Sequence, residues 1–274
     1  MRRGCDDDRM AGQAIPELHD DLGAPVPLPA PPRRVVSLVP SLTEAIARSR
    51  PGLLVGATDW CSHPADLEVR RVRGTKNPDI RTIVELRPDL VICNQEENRE
   101  LDVRRLRQAG VPVWVSRIET LDEAFDSMER LFHSALPGPV PDWLSQARAV
   151  WHPPAIGPRH RVAVAIWRDP WMVVGSRTFT GDLLARLGAD NVFAEHADRY
   201  PTVTVGDIMA AGPELVLLPD EPYPFSATDG PEAFAADGPR TVLVSGRLLT
   251  WYGPSLVTAR NELTAALTGR NGHT

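Results

Sequence analysis

The chain has 274 residues, of which 42% are hydrophobic and 24% charged, and its formal net charge at pH 7 is −6. This balance is typical of an ordinary globular protein with one large domain or two lobes, and the negative charge argues against nucleic-acid binding. Three cysteines, Cys5, Cys61 and Cys93, are too few for a disulfide framework and indicate a reducing compartment.

The N-terminal segment has a basic start but lacks the apolar core that a secretory signal needs. No run of about 18 apolar residues occurs anywhere, so no membrane span is predicted. These features predict a cytoplasmic protein with a disordered or extended tail over residues 1–32, exported only if the start site is misassigned.

Short apolar runs alternate with helical patterns from Arg33 onward. The predicted strands are VVSL (35–38), LLVGA (53–57), DLVIC (89–93) and VPVWV (111–115), with helices predicted over 41–47, 79–86 and 98–110. Ser41 and Glu44 have the spacing of a capping box at the first helix. The alternation predicts a parallel sheet covered by helices, in an N-terminal α/β lobe over residues 33–119.

A second series of the same kind predicts a C-terminal α/β lobe over residues 161–274. Its strands are RVAVAIW (161–167), ELVLLP (214–219) and TVLVS (241–245), and its helices are predicted over 180–189, 205–212 and 255–269. Residues 120–160, helical over 121–136 and 142–151 and rich in proline, form a single linker. The fold class is therefore α/β, with two similar lobes of mostly parallel sheet and a ligand cleft between them.

Four stretches together resemble the substrate-binding proteins of vitamin B12 and iron-chelate transporters. They are RVVSLVPSLTEAI (34–46), VGATDWCSHP (55–64), VRGTKNPDIRTIVELRPDLVI (72–92) and GSRTFTGDLLARLGADNVF (175–193). The resemblance extends from about Arg33 to Leu267. It implies two α/β lobes that flank a shallow cleft, a bridging helix, and aromatic side chains from both lobes that hold the ligand.

The resemblance places the aromatic cleft residues at strand-end loops. They fall on Trp60, on Trp167 to Trp171, on Tyr200, and on Trp251 and Tyr252, whereas Lys76 stands near a position where relatives carry another aromatic. A physical argument supports part of this placement, because ligands of open α/β sheets bind beyond the carboxyl ends of the strands. The expected ligand-binding residues are Asp59, Trp60, His63, Lys76, Glu96, Trp167, Arg168, Trp171, Tyr200, Trp251 and Tyr252.

The stretch TDWCSHP (58–64) is also open to a metal interpretation. Cys61 and His63 alternate on an extended segment and are possible metal ligands, or an axial ligand to a chelated metal, but zinc requires about four ligands. The simpler alternative makes Cys61 a small buried residue and His63 a loop residue before Pro64.

Three function hypotheses follow. The first is a binding protein for a small organic or metal-chelate ligand, such as a corrinoid or siderophore, with no other cofactor assigned. The alternative is a cytosolic enzyme on the same scaffold, using Asp59, Cys61, His63, Glu96 or Asp169 on a small molecule in the cleft. A dedicated metal-ion binder is the third and weakest interpretation.

Docking to a transporter permease is not expected. The resemblance implies one exposed docking glutamate on each lobe, and these positions hold Arg81 and Gly206, with Asp79 and Asp207 beside them. The predicted bridging helix, 142–151, would span only about 15 Å.

Overall fold

The computed structural model describes residues 17–154, 159–235 and 238–269, and in it the chain forms two α/β lobes. The N-terminal lobe contains strands β1 (Val35–Ser37), β2 (Leu54–Ala57), β3 (Arg70–Arg71), β4 (Arg73–Gly74), β5 (Asn77–Pro78), β6 (Leu90–Asn94) and β7 (Val113–Ser116). Its sheet is parallel, in the order β3-β2-β1-β6-β7, while β4 and β5 form a small antiparallel hairpin. The buried strands are continuous apolar runs, as a sheet covered on both faces requires.

Three helices cover this sheet: α1 (Pro40–Ser49), α2 (Ile80–Glu85) and α3 (Glu100–Gln108). The predicted capping box at Ser41 and Glu44 is wrong. Pro40 is the first helical residue, so Ser41 lies inside α1, and the Glu44 carboxylate instead contacts Arg48 and Arg247. A proline is favoured at this first position because its missing N–H would be unpaired there anyway.

Two helices connect the lobes. α4 (Leu121–Arg130) begins with a capping box between Thr120 and Glu123 and continues into a π-helical turn, Leu131–Ala135. After a proline-rich turn, α5 (Asp142–Trp151) leads toward the second lobe. Both helical segments occur where the sequence predicts them.

The C-terminal lobe repeats the architecture. Its strands are β8 (His160–Trp167), β9 (Met172–Val173), β10 (Ala189–Asn191), β11 (Leu215–Pro219) and β12 (Arg240–Val244), and its helices are α6 (Phe179–Arg186), α7 (Val205–Ala210), α8 (Gly246–Thr250) and α9 (Leu256–Thr268), with a 3-10 turn at Pro231–Ala233. The sheet order is β10-β8-β11-β12, all parallel, and β9 pairs antiparallel with β8. The predicted fold class, two α/β lobes of mostly parallel sheet, is confirmed.

One apolar core continues from lobe to lobe through the connecting helices. It includes Trp114 under the first sheet, Phe132 after α4, Trp151 on α5 and Leu183 on α6. The indole N–H of Trp151 also donates to the Leu256 carbonyl oxygen at 2.9 Å. Because the lobes share this packing, large rotations between them would expose apolar surface.

Residues 17–32 follow an irregular, largely extended path along the first lobe. The Asp20 carboxylate pairs with Arg107 at 2.8 Å, and Asp21 pairs with Arg130 at 3.1 Å. Residues 1–16, including Cys5, lie outside the described residues. Among the residues described, no helix is both long and apolar enough to cross a membrane.

Candidate functional site

The loops that follow the parallel strands of both sheets meet between the lobes. His63, after β2, contacts Trp251, after α8, with ring centroids 5.5 Å apart. The Tyr252 hydroxyl donates to the carboxylate of Glu97, a residue that follows β6, at 3.4 Å. The carboxyl ends of the strands therefore border one interlobe cleft, where ligands of open α/β sheets bind.

In the TDWCSHP loop (58–64), Trp60 is exposed to solvent, whereas Thr58 and Cys61 are buried in the core. The Cys61 thiol lies 3.0 Å from the Thr43 hydroxyl and 3.1 Å from that of Thr58, and the Arg71 guanidinium donates to the carbonyl oxygens of Thr58 and Cys61. Anchored in this way, the loop leaves Trp60 61% exposed. An exposed indole on a firmly held loop provides a flat stacking surface at little entropic cost.

Trp60 also lies against the hairpin of β4 and β5. A Cβ atom added to Gly74 would lie 3.4 Å from the indole nitrogen of Trp60 and only 2.4 Å from the Asn77 amide oxygen, which is too close. Glycine at this position thus allows the hairpin to approach the ring. The neighbouring Asp59 is exposed, and its backbone N–H donates to the Arg73 carbonyl oxygen.

The predicted metal ligands do not form a metal site in the described structure. Cys61 is fully buried, and burial raises the pKa of its thiol above the ordinary value. Within residues 17–154, 159–235 and 238–269, no group of three or more His, Cys, Asp or Glu side chains could hold a metal ion. The simpler alternative for Cys61, a small buried core residue, agrees with this placement. His63 lies at the cleft, where burial and the nearby Arg247 lower its pKa.

The second lobe contributes Trp167 as its exposed aromatic. This residue ends β8, is 42% exposed, and packs edge-on against Tyr223 with ring centroids 5.5 Å apart. Trp171 behaves differently, because β9 folds back onto β8 and carries it into the lobe. Trp171 is only 8% exposed and stacks on Phe225, so it packs inside the lobe, beneath the surface of the cleft.

Arg168, predicted as a ligand contact, is held by carboxylates of its own lobe. Its guanidinium donates to Asp229 and to Glu232, the latter at 2.6 Å, and lies over the ring of Trp171. These partners raise the pKa of Arg168. Asp169 is exposed beside it, with a carboxylate oxygen 3.6 Å from the guanidinium.

Trp251 and Tyr252 are buried where the lobes touch. The Arg247 guanidinium lies over the Trp251 ring and donates to the fully buried Glu44 carboxylate, with its Nε at 3.0 Å. The hydroxyl of Tyr252 contacts Glu97 across the boundary. Both aromatic residues therefore belong to the contact between the lobes at the base of the cleft.

Glu96, Lys76 and Tyr200 lie near one another at another part of the cleft. The Lys76 ammonium donates to the backbone carbonyl of Glu96, and Arg199 bridges the carboxylates of Glu96 and Glu119. A cavity of about 320 Å³ opens here. Its lining residues are Asn94, Gln95, Glu96, Arg117, Ile118, Glu119, Arg199 and Tyr200. Burial raises the pKa of Tyr200 above its ordinary value.

Two acids at the cleft were not predicted as ligand-binding residues. Burial, reinforced by Glu96, raises the pKa of Glu97 to about 8, and burial together with Asp220 raises that of Glu221 to about 7. Both follow strands, after β6 and after β11 respectively. The strand-end rule that selects Trp60 applies to both: from the sequence it already makes Glu97 a further candidate metal ligand at the cleft, and it would have selected Glu221 as well.

The positions expected to hold docking glutamates carry other side chains. Arg81 is highly exposed and pairs with Glu85 at 2.9 Å, and Gly206 is exposed in α7. The neighbouring aspartates cap their helices: Asp79 accepts the Thr82 N–H, and Asp207 accepts the Thr204 N–H.

The fold, two α/β lobes joined by helices, is shared with solved periplasmic vitamin B12- and haem-binding proteins. The structure matches the periplasmic vitamin B12-binding protein BtuF of Vibrio cholerae with a TM-score of 0.73 at 22% identity, over 88% of this chain and 99% of that one. It matches the periplasmic haem-binding protein RhuT from Roseiflexus sp. RS-1 with a TM-score of 0.74 at 21% identity, over 86% and 98%.

Sequence comparison leads to the same group of proteins. The chain is 27% identical to the vitamin B12-binding protein of Vibrio cholerae over 196 residues, covering 69% of this chain and 71% of the relative. It is 22% identical to that of Pectobacterium carotovorum over 258 residues, covering 84% and 92%. No family model matches the chain. The resemblance to vitamin B12- and iron-chelate-binding proteins is confirmed.

The comparisons also correct the predicted location. The cytoplasmic prediction is wrong, because the solved structures that share this fold include periplasmic vitamin B12- and haem-binding proteins, which point to the periplasm. The features on which the prediction depended, the cysteine count and the N-terminal composition, report only indirectly on location.

Proposed function

We propose that this protein binds a small organic or metal-chelate ligand, such as a corrinoid or another tetrapyrrole, in the interlobe cleft. The observation that carries the proposal is the pair of exposed tryptophans at strand ends, Trp60 on one lobe and Trp167 on the other. Stacking on indole faces suits a broad, conjugated ligand, and aromatic-lined clefts are typical of such sites.

The relatives support this ligand class. Proteins similar in sequence are named vitamin B12-binding proteins, and structures with the same fold include haem-binding proteins. The ligand-binding role of the predicted residues is part of the proposal: Trp60 and Trp167 form the walls, while Asp59, His63, Lys76 and Glu96 lie along the cleft.

The enzyme alternative has no comparable support. Its candidate nucleophile, Cys61, is buried with a raised pKa, which disfavours the reactive thiolate. Capture and release therefore describe the proposed action better than covalent chemistry. The shared core and the contacts across the cleft support only a small relative motion of the lobes.

The test is calorimetric titration of the purified protein with cyanocobalamin, dicyanocobinamide and haem. We expect at least one of these probes to bind, and Trp60→Ala to weaken that binding by about 1–3 kcal/mol if the ring stacks on the ligand. Trp143→Phe is the control, because Trp143 lies on α5 and hydrogen-bonds to Ser49. Failure of all three probes to bind would refute a corrinoid or haem-like ligand and leave siderophores as the class to titrate next.

We also infer that the protein does not engage a permease through paired glutamates. Arg81 and Gly206 replace these residues, and the carboxylates of Asp79 and Asp207 already accept hydrogen bonds at helix starts.

A further inference from the structure

The segment that carries Arg199 is fixed to the second lobe by its backbone. The Arg199 carbonyl oxygen accepts the Gly175 N–H at 2.8 Å, and further along the segment the Val203 N–H donates to the Trp171 carbonyl oxygen at 2.9 Å. A Cβ atom added to Gly175 would lie only 2.3 Å from the Asp198 carbonyl oxygen, so glycine lets the two backbones meet. The Arg199 side chain therefore starts from a fixed point of the second lobe.

The Arg199 guanidinium reaches across to the first lobe. It donates to the carboxylate of Glu96, which follows β6, at 2.8 Å, and to the carboxylate of Glu119, which follows β7. The cavity of about 320 Å³ opens at the same place and is lined mainly by polar side chains. Ion pairs, rather than close apolar packing, therefore set the separation of the lobes here.

On the first lobe, the loop after β6 (95–98) supports the hairpin of β4 and β5. The Lys76 ammonium donates to the Glu96 carbonyl oxygen. The side-chain amide of Asn98, which is buried, donates to the Thr75 carbonyl oxygen at 3.0 Å. Because two hydrogen bonds join the hairpin to this loop, a displacement of the loop should carry the hairpin with it.

Trp60 is connected to the second lobe through this hairpin. Its indole nitrogen would lie 3.4 Å from a Cβ atom added to Gly74, two residues before Lys76. Glu96 contacts Lys76 with its carbonyl oxygen and Arg199 with its carboxylate. A continuous set of contacts therefore leads from Arg199 to the exposed tryptophan of the first lobe.

We propose that Arg199 is a positioning residue of the cleft: by holding Glu96, it fixes the β4–β5 hairpin and Trp60 relative to the second lobe. The side chains of Arg199, Glu96 and Glu119 are each about one-third exposed, so their ion pairs are modest in strength and screened by salt. The positioning is a property of the ligand-free protein, whereas its consequence for binding rests on the proposed function.

The chain offers a selective NMR probe of the hairpin, because Lys76 is its only lysine. Labelling with ¹⁵N-lysine gives a single backbone amide signal, and the indole signal of Trp60 is assigned by its loss in Trp60→Phe. In the ligand-free protein, Arg199→Gln should shift both signals beyond their linewidths. Lys76→Met should also shift the Trp60 signal, and the double variant should shift it by less than the sum, since both substitutions interrupt one set of contacts.

Arg186→Gln is the matched control. Arg186 also belongs to the second lobe, its side chain is 31% exposed against 29% for Arg199, and it pairs with two carboxylates, those of Asp122 on α4 and Asp182 on α6. Neither partner belongs to the hairpin or to the loop after β6, so this variant should leave both signals in place. Thermal unfolding of each variant verifies that it is folded.

The conservative variant Arg199→Lys gives a rescue experiment. Lysine retains the positive charge but lacks the planar guanidinium that bridges both carboxylates. Arg199→Lys should therefore shift the Lys76 and Trp60 signals less than Arg199→Gln does.

A binding measurement tests the consequence for a ligand. For whichever of cyanocobalamin, dicyanocobinamide and haem binds the unmodified protein, Arg199→Gln should weaken binding by about threefold or more, and Arg186→Gln should leave it unchanged.

The outcomes are distinct. If both NMR signals of the folded Arg199→Gln variant stay in place, or if Arg186→Gln shifts them as far, the inference is overturned. An unchanged affinity in Arg199→Gln also overturns it and leaves the proposed function standing. If none of the three probes binds, a corrinoid or haem-like ligand is refuted, while the NMR comparison still decides whether Arg199 positions Trp60.

Discussion

The rings of His63 and Trp251 meet almost at right angles across the cleft, with an interplanar angle of 88° and centroids 5.5 Å apart. His63 comes from the loop after β2 and Trp251 from the loop after α8, so the contact joins the two lobes. Arg247 lies over the same tryptophan ring and is salt-bridged to Glu44 of the first lobe. An edge-to-face aromatic contact and an ion pair thus meet at one point between the lobes.

This environment makes the protonation of His63 a measurable property. Burial, followed by the positive charge of Arg247, lowers the pKa of His63 from its ordinary value of 6.5. We expect NMR titration of the His63 ring to give a midpoint below 6.5, and Arg247→Gln to move that midpoint upward. Because the folded state disfavours the proton, this group should reduce stability as the pH falls below 6.5. A midpoint above 6.5 would contradict the described surroundings.

The salt bridge between Arg247 and Glu44 should be important for stability. Glu44 is fully buried, so Arg247→Ala would leave its carboxylate with only Arg48, whose Nη2 lies 2.9 Å away. Breaking a buried pair costs about 3–5 kcal/mol, and the remaining arginine should reduce this to about 2–3 kcal/mol in urea unfolding. Glu44→Gln with Arg247→Ala should cost less than the sum of the single changes. Strict additivity would show that the two residues do not interact.

The fold was predictable because its signals are local and repeated. Buried parallel strands such as β6 and β11 are continuous apolar runs. The stretches IVELRPDLVICN (83–94) and IMAAGPELVLLP (208–219) each lead from a helix through a proline into such a strand, once in each lobe. The first helix start was predicted incorrectly, since a tertiary partner, Arg247, competes for the Glu44 carboxylate that a capping box would use.

The cleft could be predicted only in part. Exposed Trp60 and Trp167 agree with the strand-end rule. The family resemblance alone placed Trp171 at the cleft, but Trp171 directly precedes β9, which pairs back onto β8, and it is buried. The neutralisation of Arg168 by Asp229 and Glu232 depends on contacts between residues about 60 positions apart. Sequence spacing does not report such contacts.

Glu97 should make the protein less stable at alkaline pH. Its pKa is raised from 4.5 to about 8 in the folded state, so between these values the unfolded chain loses a proton that the folded chain retains. The stability contribution is therefore complete below about pH 4.5 and is lost as the pH rises through about 8. We expect urea unfolding to give a lower free energy at about pH 8.5 than at about pH 5.5, by about 3 kcal/mol.

The variant Glu97→Gln isolates this contribution, because glutamine does not titrate. In this variant the free energy of unfolding should depend less on pH over this range. A smaller decrease with rising pH should remain, because the pKa of Glu221 is also raised, to about 7. If the unfolding free energy of Glu97→Gln depends on pH as strongly as that of the unmodified protein, the proton is held by another group.

The two positions where the resemblance implies docking glutamates, Arg81 and Gly206, allow a gain-of-interaction experiment. Arg81 and Gly206 each lie in the first turn of a short helix, where a negative side chain is favoured by the helix dipole. A Cβ added at Gly206 would meet only the Thr204 hydroxyl, at an ordinary 3.5 Å, so glutamate fits there. If paired glutamates are what a permease recognises, Arg81→Glu with Gly206→Glu should create binding to a vitamin B12 transporter permease, measured with the permease in nanodiscs.

The unmodified protein should bind that permease at least about tenfold more weakly than the double variant, a difference of about 1.4 kcal/mol. Arg104→Glu on α3 is the matched charge reversal, since Arg104 is exposed and pairs only loosely with Glu100, and it should not create binding. Equal binding by the unmodified protein and the double variant would show that docking does not require the glutamates. In that case the aspartates at the two helix starts, Asp79 and Asp207, would be the next residues to replace with asparagine, which retains a side-chain oxygen for capping while removing the charge.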